Sequence, residues 1–221
     1  MSVNRAPLVR RARFSSVRSL TSGTSSSSLR ALVDPVHNGH VNVAKDFVSS
    51  LALDKLLIVP TGIHPRKPID ANDDPQKRFE MCRLAFEGIN KIEVSDIEVR
   101  RKEKSYTVQT LRELQKNGDE LYFLCGTDML LSIERWYRFE EILDLCTLVC
   151  VRRKTDDEVQ FICAVERLKK YCGAKVEILE TDITEISSSD IRSRIRCGES
   201  VASMVPENIN DYIVLNKLYK G

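Results

Sequence analysis

His37-Asn38-Gly39-His40 sets two imidazoles on either side of a residue without a Cβ, just after Asp34-Pro35 and ahead of a helical pattern. The first turn of a helix offers unpaired backbone N–H groups and the positive end of the macrodipole, so it attracts phosphate. Gly39 lets an anion approach the main chain, and two imidazoles can donate hydrogen bonds to charge building up on phosphorus. Two of the chain's three histidines fall within this tetrapeptide. The plain alternative is a helix start with incidental histidines, because so short a pattern also arises by chance.

A second group stands far along the chain, at Ile186-Ser187-Ser188-Ser189-Asp190-Ile191-Arg192. Three consecutive hydroxyls ahead of an apolar-periodic run signal a helix N-cap. They also surround a helix start with small donors, and Arg192, one turn in, can grip a phosphate in bidentate fashion. Taken alone, this is a capped helix with a solvated arginine. Two phosphate-suited helix starts in one chain favour a polyphosphate lying between them.

The elements that must position these groups alternate regularly. Strand candidates are Leu29–Val33, Lys55–Val59, Ile92–Val94, Leu121–Cys125, Thr147–Val151 and Val176–Leu179. Helix candidates lie near Gly39–Leu51, Pro75–Glu87, Thr107–Lys116, Phe139–Leu143 and Asp156–Tyr171. In the last, Phe161, Val165, Leu168 and Cys172 recur at helical spacing, which predicts one buried face. This alternation predicts an α/β fold, a Rossmann-like parallel sheet with helices on both faces. Ligands of such folds bind beyond the carboxyl ends of the strands, and His37–His40 directly follows the first strand. Thr61–Gln76 reads as a long functional or disordered loop.

The net charge of +2 averages two unlike regions. Residues 1–33 hold six arginines and no acidic residue, which leaves 28 basic against 32 acidic residues in the remainder. A mildly acidic body argues against a nucleic-acid binder. Seven cysteines, an odd number without any C-x-x-C, fit reduced and buried thiols in a reducing compartment. No apolar run approaches the length of a membrane span. Residues 1–28, rich in arginine and serine, have the composition of an organelle transit peptide. A disordered tail, or translation through sequence upstream of the true start, are the competing readings. The domain is expected over residues 29–221, in the cytoplasm, or in a mitochondrion or plastid if the leader is a transit peptide.

The run Asp34-Pro35-x-His37-x-Gly39-His40, paired with Ile186-Ser187-Ser188-x-x-Ile191-Arg192, resembles the HxGH nucleotidylyltransferase superfamily. The segments between are similar to nicotinate-nucleotide adenylyltransferases. They include Arg78-Phe79-Glu80-Met81, Ser105-Tyr106-Thr107-Val108, Gly126-Thr127-Asp128 and Trp136-Tyr137-Arg138-Phe139. Val205-Pro206-Glu207, Tyr212-Ile213 and Leu218-Tyr219 match the family's ending. The resemblance runs in order from about Val33 to Tyr219.

This resemblance implies adenylyl transfer from ATP to nicotinate mononucleotide, giving nicotinate adenine dinucleotide and pyrophosphate. The mononucleotide phosphate attacks the α-phosphorus directly, so the reaction needs positioning and charge stabilisation rather than a protein nucleophile. By similarity, His37 and His40 stabilise the transition state, while Gly39, Lys67, Ser187, Ser188 and Arg192 hold ATP phosphates. Gly126 and Asp128 contact the adenosine ribose. Asp34, Thr107, Trp136 and Tyr137 belong to the nicotinate-nucleotide site, with the Trp136 ring stacked on the pyridine. Mg²⁺ is expected to bind mainly through ATP phosphates and water, with no protein metal cage. ATP and nicotinate mononucleotide are the implied partners, and a homo-oligomer is left open.

The chain departs from the family pattern twice. The family places a glycine pair before Asp-Pro, where this chain has Arg30-Ala31. Those glycines let backbone N–H groups meet phosphate with no side chain in the way. A serine run is also a poor central strand, and an incorrectly joined 5′ end of the gene model would explain both anomalies. In the loop, Arg66 replaces a family histidine, and His64 sits two residues early. The alternatives are therefore a nicotinamide-mononucleotide enzyme and a catalytically impaired nucleotide-binding homologue.

Overall fold

The computed structural model describes residues 25–31, 34–65, 74–115, 119–152, 156–179 and 186–220, the first of these segments by its main chain alone. Six parallel strands form one sheet: β1 (Ser25–Ala31), β2 (Lys55–Pro60), β3 (Ile92–Val94), β4 (Glu120–Gly126), β5 (Thr147–Val151) and β6 (Val176–Leu179). Their spatial order is β3-β2-β1-β4-β5-β6. The order reverses between β1 and β4, which opens a crevice at their carboxyl ends.

The first strand lies earlier than the apolar pattern predicts. Ser26 to Ala31 pair with Lys55 to Pro60, and Ser25 to Ser28 pair with Glu120 to Phe123. The serines from Ser25 to Ser28, placed by composition in the leader, are therefore in the sheet. The reason is tertiary: ladder bonds use only main-chain groups, and two apolar neighbours flank this central position. Arg30 and Ala31 lie at the strand's end, opposite Val59 and Pro60. Residues 1–24 of the expected leader lie outside the described residues.

Eight helices complete the described fold: α1 (Asn38–Ser50), α2 (Pro75–Phe86), α3 (Thr107–Gln115), α4 (Thr127–Ser132), α5 (Phe139–Leu145), α6 (Glu158–Cys172), α7 (Ser188–Arg196) and α8 (Glu207–Leu215). Local chemistry sets several ends. Asp74 accepts from the Gln76 N–H at 2.8 Å, with Pro75 next in line, and so starts α2. Asp157 accepts from the Gln160 N–H at 3.0 Å to start α6. Gly173, at φ 65°, closes that helix in the left-handed conformation a glycine adopts without strain.

The strands feed two cores, one on each face. Tyr122, Leu124, Val149 and Val151 pack with α1, α2 and α8. Leu121, Phe123, Cys125, Leu148 and Cys150 pack with α3, α5 and α6. Alternation with period two divides them, as a sheet covered on both sides requires. In α6 the predicted stripe is buried at Phe161, Val165 and Leu168, while Cys172 is only half-buried. All seven cysteines are free thiols; Cys82, Cys125, Cys146 and Cys150 are buried as expected, while Cys163 and Cys197 are exposed. Among the described residues no helix is long and apolar enough to cross a membrane.

Candidate active site

The turn at Asp34-Pro35, which leads from β1 to α1, is held by a helix from much later in the sequence. Ser188 Oγ donates to the Pro35 carbonyl at 3.0 Å, and Arg192 Nη1 donates to the Asp34 carbonyl at 2.5 Å. The starts of α1 and α7 are thereby brought to one place. This juxtaposition matches the expectation drawn from two phosphate-suited helix starts.

His37 occupies the N-cap of α1 and is 6% exposed. Its ring stacks on that of His40 at 3.6 Å between centroids, 27° from parallel. The His37 main-chain N–H donates to His40 Nδ1 at 3.3 Å. A ring nitrogen that accepts carries no proton, so this contact leaves the His40 proton on Nε2. The two rings stack, and the proton of His40 is left on Nε2.

The start of α1 is more occupied than its sequence implies. The Asn38 N–H donates to the Met204 carbonyl at 3.0 Å, and Asn38 Nδ2 donates to the Ser203 carbonyl at 3.2 Å. The His40 N–H meets the His37 carbonyl at 2.9 Å. The segment before α8 therefore braces this helix start, and Gly39 stays buried within it. At α7, Ser187 takes the N-cap position but does not cap with its hydroxyl. Its Oγ lies 2.6 Å from Ser189 Oγ, and Ser188 is committed to Pro35. The hydroxyl run fixes where α7 begins through contacts between elements rather than through a capping bond.

Asp34 makes its contacts on this side of the site. Its Oδ1 accepts from the Tyr219 hydroxyl at 2.5 Å, and its Oδ2 lies 3.9 Å from Arg192 Nη1. Burial, followed by the nearby Asp34 carboxylate, pushes the Tyr219 phenol far above the usual tyrosine range. Arg78 stands behind, 1% exposed, with Nη2 donating to the carbonyls of Thr61 at 2.5 Å and Gly62 at 2.9 Å. Burial lowers its pKa, and the Asp34 charge opposes that shift. The loop beyond β2 is thus tied to α2 by a buried cation.

Gly126 and Asp128 stand at the carboxyl end of β4, where the sheet order reverses, and both are exposed. A Cβ at Gly126 would meet nothing within 4 Å, so the protein itself does not demand a glycine there. Thr127 between them donates to Asp156 Oδ2 at 2.5 Å, which pins this turn to the segment after β5.

Thr107, Trp136 and Tyr137 form a separate group. Thr107 begins α3 and is buried. The Tyr106 ring, next to it, lies 4.8 Å from that of Tyr137, and the Arg138 guanidinium sits 5.6 Å from the same ring. Trp136 is half-buried, edge-on to Phe123 at 6.3 Å, and its Nε1 donates to Ser132 Oγ at 3.3 Å. One edge of the indole is anchored in the core, while Tyr137 is 53% exposed. Lys67 and Arg66 lie outside the described residues. Among the described residues no group of three His, Cys, Asp or Glu side chains is disposed to hold a metal ion.

Sequence reasoning missed Arg78, Tyr219 and Asp156 as members of this network. A signal existed for the first. Arg78 shares a helical stripe with Met81, Cys82, Ala85 and Phe86, all buried, and a cation on such a stripe must have internal acceptors.

Residues 33–194 match the cytidylyltransferase-like family model. A Clostridium botulinum (strain Eklund 17B / Type B) protein named "Probable nicotinate-nucleotide adenylyltransferase" is 36% identical over 187 residues, which cover 85% of this chain and 94% of the relative. A Caldicellulosiruptor saccharolyticus protein of the same name is 34% identical over the same shares. Among solved structures, Plasmodium falciparum nicotinic acid mononucleotide adenylyltransferase complexed with NaAD has the same fold at a TM-score of 0.70. It is 19% identical, and the match covers 89% of this chain and 97% of that one. The chain therefore belongs to the cytidylyltransferase-like nucleotidyltransferases and, among them, to the nicotinate-nucleotide adenylyltransferase family.

Proposed function

We propose that the chain transfers the adenylyl group of ATP to nicotinate mononucleotide, using the paired starts of α1 and α7 to bind the polyphosphate. The single observation that carries this reading is the Ser188–Pro35 and Arg192–Asp34 pair of contacts beside the stacked histidines. Two helix N-termini and an arginine converge there, a concentration of positive potential suited to a triphosphate.

A phosphate oxygen of the mononucleotide attacks the α-phosphorus of ATP. The bond from that phosphorus to the oxygen bridging it to the β-phosphorus breaks, and pyrophosphate leaves with the electron pair. No group on the protein is adenylylated. His40 donates through Nε2 to the charge that grows on the α-phosphate, and His37 supports it from the stacked position. The Gly39 amide meets an ATP phosphate, since its neighbours Asn38 and His40 are engaged by protein carbonyls.

Arg192 grips the β- and γ-phosphates from α7. Ser188 contributes there through its main-chain amide, because its hydroxyl proton is committed to Pro35. Ser187, whose hydroxyl is shared with Ser189, adds a second small polar group at the same helix start. Lys67, by the resemblance, adds a further positive charge for the ATP phosphates. Gly126 lets the adenosine ribose approach the main chain, and the exposed Asp128 carboxylate accepts from its hydroxyls. Mg²⁺ bound with ATP would neutralise charge on the triphosphate, and Arg192 would share that load from α7.

The mononucleotide lies between the turn at Asp34 and the aromatic group. Trp136, fixed edge-on by Phe123 and Ser132, offers a flat face to the pyridine ring. Thr107 and Tyr137 supply main-chain donors to the nicotinate carboxylate, which accepts more strongly at both oxygens than an amide does. The test is pyrophosphate release from the purified chain with ATP, Mg²⁺ and each mononucleotide in turn. Faster release with nicotinate mononucleotide supports the reading. Equal rates with nicotinamide mononucleotide refute the acid preference, and ATP binding without pyrophosphate refutes the transfer.

A further inference from the structure

Tyr219 lies in neither of the two motif groups, yet its hydroxyl reaches Asp34 Oδ1 across 185 residues of sequence. Its ring is part of the core packing on the α1 face, with the hydroxyl also 3.8 Å from Met81 Sδ. The turn that delivers it contains two non-glycine residues in the left-handed region, Lys217 at φ 52° and Tyr219 at φ 62°. Such conformations persist only where the surroundings hold them, and here the Asp34 contact lies at the far end. The raised pKa described above keeps the phenol protonated, so it remains a donor.

Asp34 has a second neighbour in Arg192, and the distances there differ in kind. Arg192 Nη1 makes a full hydrogen bond to the Asp34 main-chain carbonyl at 2.5 Å, but lies 3.9 Å from the Oδ2 carboxylate oxygen. At 3.9 Å the carboxylate attracts the guanidinium without forming a hydrogen bond to it. We propose that Tyr219 is a positioning residue: by holding Oδ1, it keeps the Asp34 carboxylate from closing onto Arg192 and leaves Arg192 to the ATP phosphates. This rests on the assignment of Arg192 to those phosphates made above. Without the hydroxyl, Asp34 is free to turn, and an internal carboxylate then competes with ATP for the same cation.

The experiment compares Tyr219→Phe, Arg192→Ala and the double variant by steady-state kinetics in each substrate, with thermal unfolding alongside. Tyr219→Phe keeps the ring and its packing, so the fold is retained. We expect its KM for ATP to rise about fivefold to tenfold, with kcat within about twofold of the starting value. The double variant should match Arg192→Ala in its KM for ATP, since Tyr219 acts through Arg192. A rise in KM for ATP with Arg192→Ala but none with Tyr219→Phe overturns the inference and leaves the phosphate assignment standing. A lower melting temperature with unchanged KM for ATP assigns Tyr219 a structural role only, which also overturns it. Additive effects in the double variant do the same. No change with Arg192→Ala removes the phosphate assignment itself, and this inference with it.

Discussion

Ser188 Oγ and the Pro35 carbonyl meet at 3.0 Å although 153 residues separate them in sequence. This bond sets the start of α7 against the turn that launches α1. Removing it with Ser188→Ala should lower stability by about 1 kcal/mol, the usual worth of one such bond. It should also lower kcat/KM for ATP by roughly tenfold, because a helix start displaced by a fraction of an ångström no longer meets the phosphate squarely. Urea unfolding and initial rates measure the two effects separately, and a loss of stability with unchanged kcat/KM would confine the bond to structure.

His40 holds its Nδ1 toward the main chain and its proton on Nε2. His40→Ala should therefore lower kcat by on the order of a hundredfold to a thousandfold, as removal of an oriented donor does. ATP affinity, measured by calorimetry without the mononucleotide, should change by no more than a few-fold. Equal losses in binding and turnover would sink the assignment of His40 to the transition state.

Gly62 has no room for a side chain. A Cβ there would lie 2.1 Å from the Glu98 carbonyl oxygen and 2.9 Å from Ser105 Oγ. The opposing group is main chain beside a fully buried residue, so it cannot step aside cheaply. Gly62→Ala should cost about 3 kcal/mol. Calorimetry should show the melting temperature falling by roughly 6–12 °C in a chain of this size.

The thiols should divide by exposure. Burial raises the pKa of Cys146 to about 12, and Cys125 is raised by its hydrogen bond to Cys150 and by burial. A raised pKa means less thiolate at pH 8, and thiolate is the reactive form. Cys163 and Cys197 should react quickly with an aromatic disulfide reagent in the native protein. Cys82, Cys125, Cys146 and Cys150 should wait for denaturant. Fast native modification of Cys125, located by peptide mapping, would contradict the buried pair.

Arg30 and Ala31 occupy the end of β1, where the family pattern carries glycines. Arg30→Gly with Ala31→Gly should lower KM for ATP about threefold, because glycine leaves the main-chain N–H groups open to a phosphate. An unchanged or higher KM would show that Arg30 compensates with its own charge.

The sequence was legible where the sheet buries continuous apolar runs. Ile92–Val94, Thr147–Val151 and Val176–Leu179 are strands at the positions their composition predicts. The stripe through Phe161, Val165 and Leu168 is buried as its spacing predicts. The first strand was not legible, because Ser25 to Ser28 have no strand preference of their own. Their place comes from the main chain of β2 and β4 on either side. The short helix α4 was missed for a similar reason: too few residues follow Gly126 before the next turn to show a period. His37, His40, Ser188 and Arg192 are candidates by type and spacing, and the fold brings their two helix starts together. Tyr219 is not, since it reads as an ordinary terminal aromatic, and Arg78 showed only its place on an apolar helical stripe. Only the folded chain shows that both face inward toward Asp34 and the Thr61–Gly62 carbonyls.

The contacts at Asp34 also set the order in which the protein becomes competent. Arg192 reaches it over 158 residues and Tyr219 over 185, among the longest loops this fold closes. Each such contact must overcome the entropy of joining distant parts of a chain, so it gains little until the intervening sheet exists. Strands β1 to β6 can thus assemble before the starts of α1 and α7 are brought together. In refolding followed by two probes, far-ultraviolet circular dichroism should recover before ATP binding does.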